Sequence, residues 1–147
     1  MTDLAPSIRA AILAESDITN YLSQWNGAPA VFTRRPVPED AQFPMIVVSP
    51  DIAHDDFDGL KARRDVITRD VIIYGRVAAA GSADDHTRRV DAIGYLLREI
   101  FHRQPHALVN DDFRVVSINV TGPLAAPTDS DSIVARVVTL IVRTEQT

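Results

Sequence analysis

The stretch His54-Asp55-Asp56-Phe57-Asp58-Gly59 holds the densest group of metal-capable side chains in the sequence. Counted from His54, Asp56 and Asp58 take the third and fifth places of a calcium loop, Gly59 the sixth and Asp65 the twelfth. A calcium loop of that type needs Asp at the first place, a bidentate Glu at the twelfth and a helix on either side. Here the first place is His, the last is Asp, and the following segment is rich in β-branched residues. The stretch therefore reads as a solvated acidic loop, and no metal is expected there. His102 and His106 have the four-residue spacing of two ligands on one helix face, but Pro105 stands between them and should end the helix first. With no acid nearby to complete a zinc motif, they read as surface histidines at a helix end.

Other chemistry finds less support. There is no G-x-S-x-G, no P-loop and no G-x-G-x-x-G. The absence of cysteine excludes disulfides and thiol catalysis and removes the commonest structural zinc ligand. Lys61, Arg63 and Arg64 form a small basic patch, but with Asp55, Asp56 and Asp58 so close it reads as a salt-bridging subunit surface or a solvated face. The net charge of −5, from 15 basic and 20 acidic residues, runs against a protein that grips nucleic acid through phosphates. No catalytic residue, cofactor or enzymatic activity is expected. The start of the chain lacks the basic and apolar regions of a secretion signal, and no apolar run approaches the roughly 18 residues of a membrane helix. The expectation is a soluble protein, made in the cytoplasm and without a membrane partner.

The elements that must position these residues centre on 82–104. Val90, Ile93, Leu97, Ile100 and Phe101 recur at steps of three and four and form one helical stripe. Ser82 is placed to cap this helix, with Asp85 as its capping-box partner and Pro105 as its stop. At the N-terminus, Pro6 opens a short amphipathic helix carrying Ile8, Ala11 and Ile12, and Asp17 starts a second turn that carries Ile18, Tyr21 and Leu22 inward. Trp25 to Pro29 reads as a turn, Val31-Phe32 as a short strand, and the three prolines of 34–44 as an extended connection. Met45 to Val48 is a brief buried strand stopped by Pro50, and 51–65 an exposed, mobile loop or the tip of a long hairpin. Two further strands follow at 66–77 and, after the helix, at 113–121. In the latter Val116, Ile118 and Val120 face inward. The polar, proline-bearing connection 122–131 leads to a last strand at 133–143, in which Arg136 interrupts the core-facing row. The order predicts one α+β domain over 1–147. Its sheet is mostly antiparallel, with about four to five strands, and one long helix and a short N-terminal helix pack on one face.

Taken whole, this pattern resembles the phage tail-terminator family, also called tail-completion proteins, of siphophages and gene transfer agents. The resemblance runs from the two N-terminal helical turns through Phe43-Pro44-Met45-Ile46-Val47-Val48, the charged loop, the Ala/Gly turn at 78–81 and the long helix to the closing hairpin. Met45 stands where the family commonly has an aromatic residue. The resemblance implies a structural virion protein at the tail–neck junction. Six copies would form a ring that caps the tail tube, stops its polymerisation and meets the head–neck connector or stopper, with DNA passing through the lumen without specific binding. Another neck protein, an adaptor or stopper, is the nearest alternative; a small carboxylate-dependent hydrolase is a remoter one. Under the ring reading, the interface candidates are Asp55, Asp56, Phe57, Asp58, Lys61, Arg63 and Arg64 in the charged segment and Leu124, Thr128 and Asp129 in the later connection. Phe57 would be the apolar anchor of a docking loop.

Overall fold

In the computed structural model, residues 3–58, 63–128 and 130–146 are described, with the side chains of 51–63 and 146 outside that description. Three helices, α1 (Ala5–Leu13), α2 (Ser16–Thr19) and α3 (Thr87–Phe101), pack against a five-stranded sheet. The sheet consists of β3 (Val31–Phe32), β4 (Met45–Asp58), β5 (Arg63–Arg76), β6 (Phe113–Ala125) and β7 (Ile133–Gln146), in the spatial order β3-β4-β5-β7-β6. Only β3 runs parallel to its neighbour; the other pairs are antiparallel. A separate two-stranded hairpin, β1 (Gln24–Trp25) with β2 (Ala28–Pro29), turns at Asn26-Gly27, both with positive φ. The expected α+β class with a mostly antiparallel sheet holds. Of the two readings of 51–65, the hairpin is the one observed: β4 and β5 pair from Met45↔Tyr74 out to Asp58↔Arg63.

The stripe on α3 does what its spacing predicts. Val90, Ile93, Leu97 and Phe101 are fully buried against inward residues of the sheet, among them Ile73, Ile118, Val138 and Leu140. The helix is shorter than expected, however. It begins at Thr87, because Ser82 spends its hydroxyl on a local turn, accepting the N–H of Asp84, and does not cap the helix. Asp85 gathers the amides at this end instead. Its Oδ1 accepts from the Thr87 hydroxyl at 2.9 Å, the Ala78 N–H at 3.4 Å and the Thr87 N–H at 3.5 Å. The C-terminal stop also precedes Pro105: His102 is already extended, and Pro105–Ala107 forms a short 3-10 turn. Two glycines let α3 lie close to the strands. A Cβ on Gly75 would stand 2.5 Å from Val90 Cγ2, and one on Gly94 2.7 Å from Pro123 Cβ.

Four further expectations are corrected. Pro50 does not end its strand. Ser49 Oγ donates to the Asp70 carbonyl and accepts the Asp70 N–H, so a side chain carries the ladder past a residue that has no N–H to give. The register shifts there, and β4 continues to Asp58. Val116 does not face the core. A bulge between Val115 and Ser117 turns it outward, 47% exposed, and Phe113 and Val115 pack inward instead. The strand expected to end at Thr121 runs on through a second shift to Leu124↔Val137 and Ala125↔Arg136. Tyr21 lies at the surface, because α2 ends at Thr19 and only Ile18 and Leu22 of that segment reach the core.

Arg69, which breaks the inward row of β5, is buried and ion-paired at 3.3 Å with Asp3, whose Oδ1 also accepts the Ala5 N–H at the start of α1. Arg136 on β7 is likewise held by Asp91 of α3 at 2.8 Å. A second, smaller apolar cluster forms where 31–44 folds over the sheet. It contains Ala30, Met45 and Val47, with Trp25, Phe32, Phe43 and Tyr74 around them.

Candidate interaction surface

The two segments singled out from sequence lie at opposite ends of the sheet. Arg64, Glu145 and Arg114 stand side by side on β5, β7 and β6 at one end, and Ile72, Val137 and Leu124 on the same strands at the other. Eight residues of strand, roughly 26 Å, separate them along β5. At the first end, Asp55, Asp56, Phe57 and Asp58 form the end of β4 and Arg63 opens β5. Their side chains, and Lys61 entirely, fall outside the described residues. Arg64 is exposed and stands 3.6 Å from Glu145. At the other end, Leu124 is 55% exposed on β6. Thr128 is half-buried, its hydroxyl donating to the carbonyls of Ser130 and Ile133, and Asp129 is outside the described residues.

Sequence reasoning missed Arg114, Arg143 and Glu145. Glu145 lies 3.4 Å from Arg114 as well as 3.6 Å from Arg64, so one carboxylate is shared by two guanidinium groups. Arg143, exposed one step along β7, has no acidic partner among the described residues. Together with Val66 and Val116 these side chains rim a depression of about 540 Å³. Three strands had to be aligned before these residues met, and the only signal in the sequence was that basic residues occupy outward positions on each of them.

A smaller depression of about 270 Å³ lies at the Thr128 end, lined by Arg35, Phe43, Met45, Tyr74 and Ile133. Arg35 lies over the Tyr74 ring at 5.6 Å and donates to its hydroxyl at 2.7 Å, and Arg76 lies over Phe43 at 5.9 Å.

The histidines hold structure. His102 is half-buried, and its Nδ1 accepts the Val120 N–H at 3.0 Å; His106 is exposed on the 3-10 turn. At the other end of α3, His86 Nδ1 accepts the Arg76 N–H at 3.1 Å. Burial lowers the pKa of both below the usual histidine value, with Arg89 and Arg76 adding to it at His86 and Arg98 and Arg103 at His102. The Asp85 carboxyl is held below its usual range chiefly by the Thr87 hydroxyl. Residues 54–58 and 63–65 lie on two strands, where a calcium-binding helix–loop–helix would have helices on either side of its loop. No group of three metal-ligating side chains occurs among the described residues, and no helix there is long and apolar enough to cross a membrane.

The architecture is thus a mostly antiparallel sheet with helices on one face, the segment 31–44 folded over part of the other, and charged groups gathered at one end. A chain from the solved virion of a native gene transfer agent particle shares it, with a TM-score of 0.69 over 97% of this chain and 93% of that chain, at 14% sequence identity. No family profile matches the sequence, and no curated protein matches it.

Proposed function

We propose that this protein is a structural component of a phage-like particle, and that its role is that of a tail terminator. In this reading copies of the chain form a ring, six-fold as the family resemblance implies, on the end of the tail tube. The ring ends tube polymerisation and joins the tail to the head–neck connector, and the chain acts without catalysis. The observation that carries the reading is the likeness of almost the whole chain, at both its ends, to a chain of a gene transfer agent virion. Two features support it. The candidate contact segments lie at opposite ends of the sheet, which suits a ring subunit that must meet a tube on one side and a connector on the other. A net charge of −5 suits a conduit that lets DNA pass without holding it.

The test is electron microscopy of the particle with this chain carrying a bulky tag. A ring of tagged copies at the tail–neck junction is the expected result. A particle whose junction is complete without this chain overturns the reading.

A further inference from the structure

The sheet has two open edges of opposite character. Beyond Val47, β4 has lost β3 as a neighbour, so its stretch 51–58 pairs only with β5 among the described residues. β6, at the other end of the strand order, has β7 as its one strand neighbour; from Ile118 to Gly122 its outer edge is taken by Arg98, His102 and Arg103, which leaves 113–117 as its open part among the described residues. Such edges present unpaired N–H and C=O groups and act as templates for another strand. The β4 edge carries Asp51, Asp55, Asp56 and Asp58 within eight residues. The β6 edge carries Arg114, opposite Glu145 on β7, with Arg143 two residues further along β7. Among the described residues, Arg64, Arg114 and Arg143 stand around the depression at this end with Glu145 and the buried Asp65, so this corner keeps a positive excess in a chain whose net charge is negative.

We infer that the acidic edge of one copy docks on the basic edge of the next, strand β4 of the first beside the Arg114 end of β6 of the second, so that the sheets of neighbouring subunits run on into one another. The partner is a second copy because the chain itself supplies both complementary edges. The contact joins two different surfaces and is therefore head-to-tail, the kind that closes into a ring. Like edges repel: two β4 edges would bring their aspartates together, and two Arg114 ends would bring arginines together. The outward bulge at Val116 leaves an apolar side chain beside the arginines, where it excludes water from the ion pairs. This inference rests on the ring reading in taking the partner to be the same chain.

The cysteine-free sequence allows a direct test. One chain carries His54→Cys, beside the aspartates; another carries Val116→Cys, beside the arginines. They are mixed at high concentration and low salt with a bismaleimide that spans about 10 Å, or three residues of strand. The expected result is a covalent dimer in the mixture and much less self-linking of either variant alone. Adding Arg114→Glu and Arg143→Glu to the Val116→Cys chain should lower the mixed yield about tenfold, as should raising the salt, while Arg114→Lys with Arg143→Lys should retain it. Circular dichroism checks that the Glu variant folds; if it does not, the salt series on the parent pair decides. A mixed yield no greater than self-linking, or one indifferent to both salt and charge, overturns the inference. The readout needs no tail tube. Linked copies that fail to cap tails would leave the edge contact standing and remove the terminator role, and capping without linkage would do the reverse.

Discussion

His86 and His102 fasten the two ends of α3 to β5 and β6 by accepting backbone N–H groups at Nδ1, which each ring can do only while that nitrogen is unprotonated. Their folded pKa values lie below the 6.5 of a free histidine, so the unfolded chain takes up protons first as pH falls. The stability they contribute is whole above pH 6.5 and is lost as pH falls through the lower folded values. Urea midpoints measured between pH 7.5 and 5 should therefore decline, and replacing both histidines with Gln should flatten that part of the curve. Asp85 acts in a separate window, below its ordinary 3.8, and should not disturb the test. Gly75 is the second sensitive point. Its absent Cβ leaves room for Val90 Cγ2 and for His86 Cβ, 2.8 Å from where it would stand, so Gly75→Ala should cost about 1–3 kcal/mol in urea unfolding. Neither role was legible in the sequence. His102 and His106 read as surface histidines at a helix end, whereas the partner of His102 is a backbone group 18 residues away that only the fold brings near.

Among the elements, α3, β5 and β7 are legible in the sequence, Arg69 and Arg136 notwithstanding, whereas β4 and β6 run on past the points where the sequence suggests a stop. The stripe of α3 repeats over three turns, so it revealed both the helix and the face that packs on the sheet. The start of α3 was misplaced because Ser82 and Asp85 are both good capping types, and which of them closes the helix depends on a contact with Ala78. β4 and β6 were each cut short at a proline, because a side chain or a bulge that restores the pairing leaves no periodic trace. Ser49 makes the point testable. Ser49→Ala removes both hydrogen bonds to Asp70 and leaves its half-buried N–H without that partner, which should cost about 1–3 kcal/mol in urea unfolding. Hydrogen exchange should show faster loss of protection in β4 beyond Pro50 than in Met45 to Val48.

At the scale of the whole molecule, the charged end of the sheet is where assembly can be altered without touching the core. Arg64 is exposed, and Arg63 is the first residue of β5, paired with Asp58 at the end of β4. Exposed ion pairs contribute only about 0–1 kcal/mol each, so Arg63→Glu with Arg64→Glu should leave the unfolding midpoint nearly unchanged. Under the proposed function the same double variant should give tails of uncontrolled length, measured by negative-stain microscopy of particles. Normal tails would show that this end of the hairpin is not the docking surface, and the 122–131 connection would then be the surface to alter. The α+β class and the order of elements followed from periodicity alone. The arginine corner did not, because Arg64, Arg114 and Arg143 are far apart in sequence and became neighbours only when β7 entered between β5 and β6.

That placement of β7 has a kinetic side. The strand made after the others occupies the middle of the sheet, so until 133–146 has been synthesised β5 and β6 are joined only through α3, which packs on both. Completion of the sheet must wait for the pairing of β5 with β7, which are distant in sequence, so slow refolding is the expected outcome of a stopped-flow measurement. A nascent chain halted before Ile133 would expose the inner side of β5, with Ile67, Val71 and Ile73, together with extra strand edges. Such fragments should aggregate or be held by chaperones. Under the edge contact inferred above, a chain that lacks β7 would not hold β4 and β6 in one sheet and so could not offer both edges to a neighbour.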